Sequence, residues 1–277
     1  MDRARFLSEL ERHRKFCEGK SALYEALCAA LARDLKAGKS AWPERLFEAW
    51  KGRTFTTDYE APAVLLASLH YRCLKGELSL KLANVPDVVL RYLAAAPDAF
   101  WEGVGGAALQ TNEAARAPGW MLPAAAAFLG QRLPFHLVDM GTSAGLTLIG
   151  DYLERGWVLK NEKGEEVKAP ERFNDLPYPV LTRTGLDRRP RFLGDPEDRL
   201  WLKACIWLDD AARHERFDRA CDLFVTLAKE KGGPRLHACG FTEMGAWVAE
   251  HLRPHPEEGL LLFNSQAADF LSEADYA

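Results

Sequence analysis

The chain has 277 residues and a mass of 31.0 kDa, with 48% hydrophobic and 27% charged side chains, a globular composition that excludes a disordered tail or a fibre. Its 40 acidic and 36 basic residues leave a formal charge of −4 and a pI near 6.0, which argues against general nucleic-acid binding or an anionic-membrane surface. The longest apolar stretches, around residues 61–69 and 121–129, fall short of the ~20 residues that a bilayer crossing needs.

The amino terminus, MDRARFLSELERHRKF, interleaves charge with its apolar positions and has no h-region of a secretory leader, so the cytoplasm is the expected compartment. From residue 2 to about residue 130 the apolar positions recur at three- and four-residue steps, as in Phe6, Leu7, Leu10, Phe16 and Cys17, then Leu23, Leu27, Leu31 and Leu35. This half reads as all-α, with roughly six to eight helices. Breaks are expected at Gly19, Gly38, Trp42-Pro43, Pro62, Gly76, Pro86, Pro97 and the glycines of residues 103–106. His70, in ASLHYRCL, is expected to be a buried, hydrogen-bonded histidine or, alternatively, a functional one. Gln110, Thr111, Asn112 and Glu113, followed by Arg116, form a polar knot between glycines and an apolar segment. It is either a substrate-binding group or a cap, Thr111 or Asn112 accepting from the first turn of the next helix.

The pattern changes at Pro134. Residues 135–140, FHLVDM, have strand length; Gly141-Thr142-Ser143-Ala144-Gly145 is a small-residue loop; residues 146–153 resume helical spacing. Such a strand, turn and helix present a glycine-lined loop at the carboxyl edge of an open sheet, where amides can face a ligand and no Cβ holds it away. Two chemistries fit. Asp139-Met140-Gly141-Thr142-Ser143-Ala144-Gly145 has the order of the cofactor loop of class I S-adenosylmethionine methyltransferases. Gly141-Thr142-Ser143-Ala144-Gly145 also reads GxSxG, an α/β-hydrolase elbow with Ser143 as nucleophile. The hydrolase needs upstream strands and an oxyanion loop, where this chain reads as helical; His237, His251 or His255 would have to supply its base.

A hairpin is expected over residues 157–168, turning near residues 161–164, and residues 180–187 read as a strand ending in Asp187. Asp187 suits a ribose-binding carboxylate; the alternative is a turn residue before Arg188-Arg189-Pro190. It follows Asp139 by 48 residues, against the ~20 common in dinucleotide folds, and the hairpin accounts for the excess. Arg183, Arg188, Arg189 and Arg191 either receive an anionic substrate or pair with Asp195, Glu197 and Asp198. Residues 196–210 read as one helix started by Pro196. Strands are expected at residues 234–238 and 259–263, the second followed by Asn264-Ser265-Gln266. Asn264 either holds a nucleophilic amine or closes a turn. The six cysteines contain no CxxC pair and read as reduced and mostly buried, and no metal is expected, since His237-Ala238-Cys239 and His251 with His255 lack a second ligand cluster.

The segments ASLHYRCLKGE, LQTNEAARA, HLVDMGTSAGLTLIGDYL and TGLDRRPRFLGDPEDRLWLKACIWLDDAARHERF, in this order, resemble an uncharacterised bacterial family, a domain of unknown function with a helical amino-terminal part and a class I methyltransferase-like core. The resemblance implies an α/β protein: a helical domain or lid over 1–130 and a Rossmann-like core over 131–277. It implies S-adenosylmethionine as cofactor, held by Asp139, Gly141, Thr142, Ser143, Gly145 and Asp187, with Asn264 as the catalytic candidate. Gln110, Asn112, Glu113 and Arg188 are then candidates for a small or anionic substrate. The chain ends soon after the fourth expected strand, whereas methyltransferase sheets carry further strands. A fragment, or a sheet edge covered by the helical half or by a second copy of the chain, would account for this. A non-catalytic binding protein on the same fold is the remaining reading.

Overall fold

A computed structural model describes residues 1–110, 112–128, 133–153, 159–160, 163–167 and 179–267. Its architecture is mixed α/β, in two units: Met1–Thr111 with Leu200–Glu215, and Asn112–Arg199 with Arg216–Ala277. Among the described residues no helix is long and apolar enough to cross a membrane.

The first unit is helical. It contains α1 (Arg3–Cys17), α2 (Ala22–Ala37), α3 (Trp42–Ala49), α4 (Glu60–Leu74), α5 (Val85–Ala95) and α6 (Asp98–Gly106). Local chemistry sets the ends: the Asp2 and Ser21 side chains accept from the amides of Arg5 and Tyr24, while Gly38 takes the left-handed conformation that ends α2. Pro43 and Pro86 sit in the first turns of α3 and α5, where a missing N–H costs nothing. Phe6, Leu10, Leu27, Leu31, Trp42 and Trp50 are fully buried in its core.

Two expectations are corrected here. The glycines of residues 103–106 do not break a helix but finish α6; a Cβ on Gly105 would lie 2.8 Å from the Ala49 carbonyl oxygen, so glycine lets α6 approach α3. The helix begun by Pro196, α8 (Pro196–Ala204), stops six residues short of its expected end, and α9 (Ala211–Leu227) follows. His70, fully buried, explains the stop: its Nδ1 contacts the carbonyl oxygens of Ala204 and Ile206 at 3.0 and 2.8 Å, and burial pushes its pKa down to about 4. Asp210 starts α9 by accepting from the Arg213 amide, and Asp209 accepts from the Ser21 hydroxyl.

The second unit is built on four parallel strands: β1 (Phe135–Met140), β4 (Val180–Asp187), β5 (Pro234–Ala238) and β6 (Gly259–Phe263), in the order β5-β4-β1-β6. A small antiparallel pair, β2 (Leu159–Lys160) and β3 (Glu166–Val167), supplies the hairpin; Trp157, Asn161 and Lys168 lie outside the described residues. Phe135 and Leu137 pack with Trp120, Met121 and Leu148 on one face of the sheet, where α7 (Pro118–Ala127) lies. Val138 and Leu186 pack on the other with Met244 and Val248 of α10 (Met244–His251). Packing on both faces of the sheet is why β1 and β6 read as apolar runs rather than alternating ones, while β4 and β5 mix polar residues into their sequences.

Residues 146–152 form a kinked 3-10 segment and not the expected α-helix. The Thr147 carbonyl accepts from Trp120 Nε1 at 2.7 Å and the Leu148 carbonyl accepts from Arg183, so side-chain donors occupy acceptors that an α-helix would offer to its own amides.

Candidate functional site

The carboxyl ends of β1, β4 and β6 bring together Asp139, the 141–145 loop, Asp187 and Asn264. In register, Asp139 stands opposite Gly185 on one side and Phe263 on the other, so the central strand delivers its acid between two neighbours.

Three of the five loop residues have positive φ: Gly141 at 83°, Ser143 at 54° and Gly145 at 76°. Glycine meets that demand at two of them; Ser143 carries the strain that a side chain incurs there. The space a Cβ would need is filled by protein. At Gly141 it would overlap the Cβ of Ala267, and at Gly145 it would press on Leu236 and Phe224, each at 2.9 Å. The glycines therefore serve the bend and close packing, not the ligand clearance expected from the sequence.

The loop amides are spent in the same way. Gly141 N and Thr142 N donate to Leu186 O at 2.7 and 3.1 Å, Ser143 N to Asp187 Oδ2 at 2.8 Å, and Gly145 N to Thr142 O at 2.9 Å. Expected to face a ligand, the first three of these N–H groups instead fasten the loop onto the end of β4, and the fourth closes the loop on itself.

The carboxylates differ. Asp187 accepts from Ser143 N through one oxygen and from Arg189 N through the other, each at 2.8 Å, and each oxygen keeps a further lone pair. Asp139 is 1% exposed; its Oδ2 accepts from Thr142 Oγ1 at 3.1 Å and from Thr147 Oγ1. Its Oδ1 is buried and has no hydrogen-bond partner among the described residues. Burial pushes the Asp139 pKa up to about 6; the two threonine hydroxyls oppose this, the Asp187 charge adds to it, and Arg116 opposes it last. Asn264, half-buried at the end of β6, likewise has a buried Nδ2 with no partner among the described residues.

Asn112 is buried and its Nδ2 donates to Ser143 Oγ at 2.5 Å. It does not cap the following 3-10 turn, Ala114–Arg116; Glu113 does, accepting from the Ala115 amide while also pairing with Arg216 at 3.1 Å. Gln110 falls in the first unit, and Thr111 lies outside the described residues. Arg188 and Arg189 are exposed. Arg191 pairs with Asp198 at 2.8 Å, as the downstream acids suggested. Arg183 takes a partner the sequence did not reveal: buried, it grips Asp151 with two bonds of 2.7 and 2.6 Å. Burial outweighs that guanidinium and holds the Asp151 carboxyl above its ordinary pKa. His237 and His251 both pack against Trp247, at centroid distances of 4.8 and 4.3 Å.

The pattern of DUF2332, described as an uncharacterised protein conserved in bacteria, matches residues 9–277. The chain belongs to the DUF2332 family. No curated protein matches it, and no solved structure does. The DUF2332 match takes in residues of both units. Among the described residues of this DUF2332 member, no group of three or more His, Cys, Asp or Glu side chains is placed to hold a metal ion.

Proposed function

We propose that the second unit is a Rossmann-like core that binds S-adenosylmethionine, and that the protein transfers its methyl group to a small or anionic substrate. The observation that carries this reading is the pairing of Asp187 with the 141–145 loop, beside a buried Asp139 oxygen that lacks a partner. Taken in chain order, the sheet strands run third, second, first, fourth, as in the first half of a doubly wound sheet, and the order reverses at β1. In such sheets ligands bind outside the carboxyl ends at the reversal, where Asp139, Asp187 and Asn264 lie.

The state of the polar groups selects among adenosine-bearing ligands. A phosphate cradle needs free backbone N–H groups, and those of Gly141, Thr142, Ser143 and Gly145 are already bonded. What the edge retains is acceptor capacity on two carboxylates, suited to ribose hydroxyls and to a cationic group. S-adenosylmethionine offers both and carries no phosphate. Asp187 would accept from the ribose hydroxyls, in charge-assisted bonds of roughly 1.5–3 kcal/mol each. Asp139 would accept from the ammonium of the methionine end. Asn264 Nδ2 would hold the methyl acceptor, and exposed Arg188 is the candidate contact for an anionic substrate. Asn112, tied to the Ser143 hydroxyl, supports the loop, while Glu113 is held by Arg216. The chemistry asked of the protein is positioning of a nucleophile against a methyl group, which needs no strong acid–base pair.

Calorimetric titration tests this. S-adenosylmethionine and S-adenosylhomocysteine should release or absorb heat and raise the melting temperature, while ATP and NAD should bind more weakly. No heat and no thermal shift at millimolar S-adenosyl ligand, or a preference for the phosphorylated compounds, would overturn it.

A further inference from the structure

A second group of chemically active side chains lies toward the amino ends of the sheet strands. β1 and β4 pair with a shift of one residue: Phe135 stands opposite Val180 but His136 opposite Thr182, which leaves Leu181 as an extra residue on β4, 37% exposed. In an unshifted ladder Leu181 would stand against His136; the bulge puts a hydroxyl there instead. Thr182 Oγ1 lies 2.8 Å from His136 Nδ1, and His136 Nε2 lies 3.3 Å from Glu258 Oε2. Glu258, directly before β6, accepts through the same oxygen from the His255 amide at 2.8 Å; that bond, then His136, keeps its carboxyl below the ordinary pKa. An ionised carboxylate only accepts, so in the neutral ring Nε2 carries the hydrogen and Nδ1 is left to accept from the Thr182 hydroxyl. Hydroxyl, imidazole and carboxylate are thereby linked in the order of a nucleophile, its base and the group that orients the base. Solvent reaches them: Thr182 is half-buried, and the His136 and Glu258 side chains are 15% and 29% exposed. His136 and Asp139, an odd number of residues apart on β1, project from opposite faces of the sheet, so this group is separate from the site at the carboxyl ends.

We propose that Thr182, His136 and Glu258 form a second reactive centre that hydrolyses small carboxylic esters, with Thr182 as nucleophile, His136 as base and Glu258 as the positioning residue. A neutral acyl group suits this centre better than a phosphoryl group, which the Glu258 charge would repel. Thr182 Oγ1 bonds to the ester carbonyl carbon as its proton passes to His136 Nδ1. The bond from that carbon to the leaving oxygen breaks, the leaving alcohol takes the proton from Nδ1, and an acyl ester remains on Thr182. Water then attacks the same carbon and gives one proton to Nδ1. The bond to Thr182 breaks, its oxygen recovers the proton from Nδ1, and the carboxylic acid departs. One ester and one water become one acid and one alcohol.

The full chain is incubated with p-nitrophenyl acetate, release of p-nitrophenol is followed by absorbance, and the acid-quenched protein is digested and mapped by mass. Release should be faster than in buffer, and an acetyl group should be found on Thr182. Thr182→Val, which removes the hydroxyl at nearly constant volume, should abolish both, and Thr182→Ser should keep both. His136→Gln should slow turnover about a hundredfold or more, and Glu258→Gln should lower kcat at unchanged KM. Release no faster than in buffer, acetyl groups on other side chains with Thr182 unmodified, or undiminished turnover in Thr182→Val would overturn the proposal; the wild-type rate and map decide this even if a variant does not fold.

Discussion

The Ser143 amide donates to Asp187 Oδ2 at 2.8 Å, so the glycine loop after β1 is fastened to the end of β4 by the same carboxylate that would receive a ribose. Asp187→Asn is therefore expected to act twice. An amide group cannot accept through both of its polar atoms, so the Ser143 or the Arg189 N–H loses its acceptor. Loss of a hydrogen bond to a charged group costs about 1.5–3 kcal/mol, to be read by urea denaturation. Calorimetry should show S-adenosylmethionine affinity down at least tenfold. A variant that binds as tightly as wild type would remove Asp187 from the ligand site.

Asp139 makes the site pH-sensitive. Its pKa rises on folding from 3.8 to about 6, so in that interval the native state keeps a proton that the unfolded chain has released. Stability must fall as pH rises from about 4 to about 6, by at most ~1.4 kcal/mol per pH unit for this group, and level off above. Glu9 and Asp151, whose pKa values are also raised, contribute with the same sign, so the difference between wild type and Asp139→Asn isolates it. Urea denaturation across this range should find the variant gaining on wild type as pH rises. Affinity for a cationic ligand should weaken in wild type as Asp139 protonates below about pH 6, and be low at every pH in the variant; a wild-type affinity independent of pH would contradict the assignment.

How far the sequence disclosed this depends on how local the deciding interactions are. The four sheet strands occupy the expected segments because β1 and β6 are short apolar runs, while β4 begins beside Pro179 and β5 at Pro234 and each is followed by a polar or glycine-containing turn. The 3-10 segment after the loop was hidden, since Trp120 and Arg183, which occupy its carbonyls, come from distant parts of the chain. The end of α8 was hidden likewise, being set by His70. At the site, Asp139 and Asp187 were legible as acids closing strands. That the loop amides bond to β4 rather than stay open could not be read from glycine spacing, because spacing reports backbone freedom and not the neighbour that uses it.

The ion pair behind the loop gives a prediction independent of any ligand. Arg183 and Asp151 have side chains 3% and 2% exposed, and the guanidinium also donates to the Leu148 carbonyl. Arg183→Met leaves a buried carboxylate uncompensated, which costs about 3–5 kcal/mol, and Asp151→Leu strands the guanidinium at a similar cost. The double variant removes both charges and should recover most of the loss. It should stay below wild type by about 1–3 kcal/mol, the penalty of the Leu148 carbonyl without its donor. Denaturant unfolding of the four proteins measures this cycle, and additive single effects would deny the coupling.

Ser143 separates the competing chemistries. Its N–H, not its hydroxyl, meets Asp187, and its Oγ faces the Asn112 carboxamide, which cannot take up a proton as a catalytic base does. Ser143→Ala keeps the amide and leaves Asn112 Nδ2 buried without that acceptor, a loss of about 1–3 kcal/mol in stability. For an S-adenosylmethionine site, calorimetry should find the affinity of the folded variant within a few-fold of wild type, since the backbone bond to Asp187 persists. For a serine hydrolase the same change would abolish turnover of activated esters while leaving the fold intact. Wild-type esterase activity that disappears in Ser143→Ala, with no S-adenosyl ligand bound by either protein, would reverse the assignment of the loop.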